Sequence, residues 1–114
     1  MPSEPDRLIL AEIAGAARRH TVRHALSEDQ RAAAVAELRE IAGDRPDLLA
    51  RHAGVAIGIA QVCDPILRPQ YELAAGLCRE AGADESLIEP WIAVRRITDA
   101  REIPYTGSRG TSSR

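Results

Sequence analysis

The chain has 114 residues, of which 45% are apolar, and its formal net charge is −2. This length fits one domain of ordinary size, and the apolar fraction excludes an intrinsically disordered chain. The small net charge provides no overall field that would attract nucleic acid or an anionic membrane.

The apolar residues are of few kinds, because the sequence contains no Phe, one Trp and two Tyr. We therefore expect a core of Ala, Leu, Ile and Val, and the abundance of Ala favours helices. Every basic residue is Arg. Many Ala and Arg residues without Lys are typical of a high-GC genome, which predicts a bacterial source.

The N-terminal residues lack the basic stretch followed by an apolar run that is typical of a signal peptide. The longest stretch of low charge, from Ala53 to Cys63, is much shorter than the roughly 20 residues that a membrane-spanning helix needs. The sequence therefore predicts a cytoplasmic protein that makes no membrane contact. In that compartment Cys63 and Cys78 are expected to be reduced thiols.

Two helices are predicted in the first part of the chain. Apolar residues recur at helical spacing from about Glu4 to His20, which predicts the first helix. The second is expected to begin at Ser27, because Ser27 and Gln30 have the spacing of a capping box. Gly43 suits the position just after the end of this helix.

A third helix is expected to be capped by Asp44. Residues 48–63 carry no charge after His52, and a helix that is apolar on all sides is a buried one. Gly54 and Gly58 lie on one face of this segment, although each interior glycine costs about 1 kcal/mol relative to alanine. The expected reason is the close approach of a neighbouring helix over these glycines.

Prolines and glycines delimit the last helices. Pro69 is expected to open a fourth helix, which ends at Gly82. Because an interior proline breaks a helix, Pro90 predicts a short turn over about residues 84–88 and a new helix that starts near Pro90. The residues of that helix expected to face inward are Trp91, Val94 and either Ile97 or Thr98.

These elements together predict an all-α fold, a compact bundle of four to five helices around a buried central helix at about 48–63. The single helical domain is expected to cover residues 1–103. Residues 104–114 are polar and turn-forming, so they are predicted to be a flexible, disordered tail.

The densest charge feature is a basic cluster at the end of the first helix, formed by Arg18, Arg19, His20, Arg23 and His24. Such a cluster can bind an anion such as phosphate or contact a partner. The alternative is structural, because the helix dipole stabilises cations at a helix C-terminus. His20 and His24 have the spacing of a metal pair, but the Glu of the HExxH zinc motif is missing, so no metal is expected.

The segment Leu49–Val62 reads LARHAGVAIGIAQV and resembles the helix-turn-helix signature of bacterial repressors, in Ala50 and in Ala53–Val55. The resemblance implies a DNA-binding transcriptional regulator, with a degenerate motif over about 46–63 and a turn at Gly54. After that turn, Gln61 is the one polar side chain that could contact base edges, whereas base recognition relies on residues such as Arg, Lys and Asn. One continuous buried helix explains the same residues, so DNA binding is the alternative hypothesis.

Aromatic side chains are so scarce that each is a candidate anchor at an interface. Trp91, Arg95 and Tyr105 are therefore the predicted interface residues. The alternative is that Trp91 fills the core beside Pro90. His52 is expected at the margin of the core, as a satisfied or half-exposed histidine.

The sequence contains no phosphate-binding loop, no glycine-rich cofactor turn and no nucleophile with a matching base. We therefore expect a non-enzymatic helical protein-interaction or regulatory module, with no catalytic residue, cofactor or metal. Its partner is expected to be a protein, including a second copy of the chain in a homodimer. Under the alternative hypothesis of DNA binding, the partner is a nucleic acid. An enzyme would need His52, Cys63 or Cys78 in a polar pocket beside a carboxylate.

Overall fold

Five helices make up the part of the chain that the computed structural model describes, residues 3–23 and 25–94. They are α1 (Glu4–Thr21), α2 (Glu28–Ala42), α3 (Pro46–Val62), α4 (Arg68–Glu80) and α5 (residues 85–94). No strand occurs in these ranges. Since α3 packs against α1, α2 and α4, and most extensively against α4, the predicted bundle around a buried central helix is confirmed.

The starts of α1 and α2 follow local signals in the sequence. The Ser3 hydroxyl oxygen accepts a hydrogen bond from the Asp6 backbone N–H at 3.2 Å. At α2 the Gln30 N–H donates to the Ser27 side chain at 3.1 Å, and the Ser27 N–H donates to the Gln30 side chain at 2.9 Å. The predicted capping box is therefore confirmed, and Gly43 ends α2 with a positive φ of 59°.

The start of α3 differs from the prediction, because Arg45 rather than Asp44 occupies the N-cap position. The helix begins at Pro46, so the Asp44 side chain lies one residue too early to cap it. Arg45 instead donates to Asp6 at 2.8 Å and to Asp47 at 3.0 Å, which ties the beginning of α3 to the beginning of α1. These hydrogen bonds from Arg45 hold the pKa of both carboxyls below its usual value.

The core consists mainly of alanine, with a few large side chains between the helices. The largest fully buried side chains are Ile13, Leu38, Leu48, Leu49, Leu77, Ile88, Thr21 and Cys78. Valine was also expected in the core, but no valine is buried among the described residues, and Val22, Val55 and Val62 are exposed. Val35 is partly buried and packs against the core, and the small alanines on α3 let the neighbouring backbones approach closely.

The expectation that Pro90 breaks the last segment is wrong, because α5 runs without interruption over residues 85–94. Pro90 lies in the second turn, where its ring removes one hydrogen bond, to the Ser86 carbonyl. Ser86 is exposed, so water can satisfy that carbonyl. Of the residues predicted to face inward, Trp91 does lie against α3, whereas the prediction for Val94 is wrong. Ile88 is fully buried, whereas Val94 is 55% exposed.

Several predictions fall outside the described residues. They are the domain limit at residue 103, the tail at 104–114, and the positions of His24, Arg95, Ile97, Thr98 and Tyr105.

Candidate functional site

The Trp91 side chain lies directly on the glycine face of α3. A Cβ atom added to Gly54 would be 2.5 Å from Trp91 Cδ1, and one added to Gly58 would be 2.9 Å from Trp91 Cζ3. Real Cβ atoms do not approach other atoms so closely, so the indole occupies the space that side chains at these positions would need. The predicted close approach over the glycines is therefore confirmed, and the group that approaches is an indole ring.

A groove between α3 and α5 surrounds this indole. Its volume is about 440 Å³, and it is lined by Asp47, Leu48, Arg51, Val55, Leu87 and Trp91. Although it rests on α3, Trp91 keeps 40% of its surface exposed, and Val55 and Leu87 are exposed by 42% and 47%. Three large apolar side chains thus meet at one surface.

The charges at the edge of the groove are not equivalent. The Asp47 carboxylate accepts two hydrogen bonds from Arg45, at 3.1 and 3.0 Å. Arg51 is exposed and forms no ion pair within residues 3–23 and 25–94. Within the described part of the chain, the groove therefore combines an apolar floor with one cation that has no ion-pair partner.

Trp91 was predicted from the sequence as an interface residue. Arg51, Val55 and Leu87, which line the same groove, were not predicted as interface residues. A signal was present, because residues 47, 51 and 55 are spaced one helical turn apart on α3, and residues 87 and 91 are on α5. This spacing indicates a shared surface only if α5 continues through Pro90, as it does in the structure.

The basic cluster at the end of α1 is divided by the fold. Arg19 and His20 both reach Glu37 on α2, each at 2.7 Å. Hydrogen bonds from Arg19 and then His20 hold the pKa of Glu37 below its usual value. Arg18 instead lines a cavity on the α3–α4 side of α1, and Arg23 is exposed. The part of the cluster that the structure describes does not form a single anion site.

The helix-turn-helix resemblance is not matched by the backbone. α3 is continuous from Pro46 to Val62, so the turn implied at Gly54 is absent. The part that would be the recognition helix is also turned inward, since Ala56, Ile57 and Ala60 are buried. The two-helix geometry of a helix-turn-helix motif is therefore not formed over residues 46–62.

His52 lies at the margin of the core, half-buried, as expected. Burial lowers the pKa of its imidazole, so the neutral form is favoured at pH 7. It lines the same cavity as Arg18, and none of the residues lining that cavity is a carboxylate. The general base–carboxylate arrangement that the enzyme alternative requires is therefore not formed in this cavity.

The two cysteines are free thiols with different surroundings. Burial raises the pKa of Cys78 to about 12, whereas Cys63 is only half-buried at the end of α3. At pH 8 Cys78 is therefore almost entirely in the thiol form, whereas the thiolate is the form that reacts. We expect iodoacetamide to modify Cys63 quickly and Cys78 only after unfolding, as measured by mass spectrometry. Cys63→Ser should remove the fast phase, and equal native rates at both cysteines would contradict the prediction.

Across the described part of the chain, no three His, Cys, Asp or Glu side chains come together in a way that could hold a metal ion. None of its helices combines the length and apolar character needed to cross a membrane. Comparison with models of known protein families, with curated proteins and with solved structures finds no match to this chain.

Proposed function

We propose that this protein is a non-enzymatic protein-binding module whose α3–α5 groove receives an amphipathic helix of a partner protein. The observation that carries the proposal is the position of Trp91, the single tryptophan of the chain, half-exposed on a surface built from two glycines. Tryptophan is among the residues that contribute most to binding at interfaces. A bacterial, cytoplasmic setting belongs to the same proposal.

The lining of the groove indicates the chemistry of the partner. Val55, Leu87 and Trp91 offer an apolar floor between two helices, the kind of surface that accepts the apolar stripe of a third helix. Arg51 at its edge has no ion-pair partner among the described residues, so a carboxylate on the incoming helix would complement it. The expected partner segment therefore carries apolar residues one turn apart and a nearby Asp or Glu.

A second copy of the chain fits the groove less well. In a symmetric dimer the same patch faces itself, so the carboxylate opposite Arg51 would have to come from the groove of the other copy. Asp47 is the one carboxylate among the described residues that line the groove, and Arg45 already donates two hydrogen bonds to it. A different protein, with a free carboxylate on its helix, is therefore the better occupant.

The test is selection from a displayed library of amphipathic helical peptides with randomised positions. Peptides enriched on the native protein are expected to carry Leu, Ile or Phe at helical spacing together with Asp or Glu. Trp91→Ala should weaken binding of the enriched peptides by at least about tenfold, as expected for loss of a central anchor. Arg51→Glu should shift the selection toward peptides with Lys or Arg.

Leu8→Ala is the matched control, because Leu8 is an exposed apolar side chain on α1, outside the groove. It should leave peptide binding unchanged. Selection of the same peptides by the native protein and by Trp91→Ala would overturn the proposal. Sedimentation at micromolar concentration is expected to show a monomer, and a dimer that Trp91→Ala dissociates would assign the groove to a second copy instead.

A further inference from the structure

A second cavity, distinct in position from the centre of the groove, lies between α1, α3 and α4, with a volume of about 180 Å³. One part of its wall is apolar, formed by Ala14, Ala17, Val55, Ala56, Ile59 and Ala74. The polar part is formed by Arg18, Thr21, His52, Gln70 and Tyr71. A mostly apolar wall with a few convergent polar groups is the composition of small-molecule binding sites, although this cavity is smaller than most of them.

The polar side chains of this wall are largely unused by the fold. Only Thr21 is engaged, because its hydroxyl donates to the Ala17 carbonyl at 2.7 Å. Within residues 3–23 and 25–94, the side chains of Arg18, His52, Gln70 and Tyr71 have no hydrogen-bond or ion-pair partner. Four side chains that can donate hydrogen bonds therefore line one cavity without an acceptor among the described residues.

The hydrogen-bond donors and the positive charge in the cavity wall together favour an anionic ligand. Among the described residues that line the cavity, Arg18 carries the one formal charge, and none of them is a carboxylate that could neutralise it. Arg, Gln and Tyr side chains all donate, and the guanidinium can do so to both oxygens of a carboxylate. Burial keeps His52 neutral at pH 7, so its imidazole can offer one N–H without adding a second charge.

The volume limits the size of the ligand. An engineered apolar cavity of about 150 Å³ in another protein holds one benzene molecule. A cavity of about 180 Å³ therefore has room for a body of that size with a small polar group. The alanine-rich side of the wall suits an apolar body, and the polar side suits the charged group.

We propose that the α1–α3–α4 cavity binds a small organic carboxylate, with the carboxylate at Arg18 and the apolar body against the alanines of α1, α3 and α4. The polar groups of the wall are proposed to bind the ligand, and no reaction is proposed at this site. This site is independent of the helix-binding groove, although Val55 lies in the wall of both.

Benzoate is the probe, and benzamide is its neutral counterpart of nearly the same shape. Titration of isotope-labelled protein at constant ionic strength is expected to shift the amide signals of the lining residues and the imidazole signals of His52. Benzoate should bind at least about tenfold more tightly than benzamide, because a hydrogen bond to a charged group is stronger than one to a neutral group. His52→Gln identifies the imidazole signals.

Two variants and one control decide the outcome. Arg18→Gln should weaken benzoate binding at least about tenfold while leaving benzamide unchanged, and Ala14→Leu should block both by filling the cavity. Arg7→Gln removes another exposed arginine of α1 that does not line the cavity, and it should have no effect.

Equal binding of benzoate and benzamide, or shifts unchanged by Arg18→Gln, would overturn the proposal. Trp91→Ala should leave benzoate binding intact, which separates this site from the groove.

Discussion

Replacing Leu77 by alanine is expected to lower the free energy of unfolding by about 2–5 kcal/mol, a large part of the roughly 5–15 kcal/mol that stabilises a domain of this kind. The Leu77 side chain on α4 is 0% exposed and belongs to the core cluster. Most buried members of that cluster are alanines, which have no rotamers with which to fill a cavity. The cavity left by the missing side chain should therefore persist, which places the loss in the upper part of the range.

Urea unfolding followed by circular dichroism measures this loss as a lower midpoint with an unchanged slope. Leu8→Ala is the matched control, since the same side chain is removed from α1 at a position that is 63% exposed. That change should stay within about 0.5 kcal/mol of the native protein. A loss below about 1 kcal/mol for Leu77→Ala would mean that the alanine-rich core can close around the gap.

Gly54→Ala is expected to lift the Trp91 indole from α3. The added Cβ would lie 2.5 Å from Trp91 Cδ1, so one of the two must move. The backbone of α3 is fixed by its packing against three helices, whereas the Trp91 side chain is 40% exposed and can rotate outward. The ring should therefore move, and the emission of the single tryptophan should shift to the red as water reaches it.

The effect on stability should be smaller than the effect on fluorescence. Overpacking costs about 1–3 kcal/mol, and replacing a helical glycine by alanine returns about 0.5–1 kcal/mol. Binding of helical peptides to the groove should fall at least about tenfold, because the proposed anchor is displaced. Fluorescence, urea unfolding and peptide titration on the same sample separate the three effects.

Gly76→Ala provides the control within the same chain. Gly76 lies inside α4, and an added Cβ would meet no atom within 4 Å. Alanine there should raise the free energy of unfolding by about 0.5–1 kcal/mol and leave the Trp91 emission unchanged. If Gly54→Ala also raised stability with unchanged emission, the contact between Trp91 and α3 would not be the reason for the glycine.

The sequence by itself determined where most helices begin and end. Ser27 with Gln30, and Gly43 after α2, act on backbone groups within one turn, so their effect is readable without knowledge of the rest of the fold. The same holds for α3, since a run without charge after His52 is stable in water only when it is buried. Gly54 and Gly58 also predicted a close contact with α3, but the sequence did not indicate that the Trp91 indole makes it.

Only the tertiary structure decided which side chains meet. The capping role expected for Asp44 and the break expected at Pro90 were both local inferences, and both were overruled by the packing of α3 against α1 and of α5 against α3. The basic cluster was visible in the sequence, but its division between Glu37 and the cavity depends on the positions of α2, α3 and α4. Contacts between residues far apart in the chain depend on how helices pack, and no signal within a single helical turn encodes that packing.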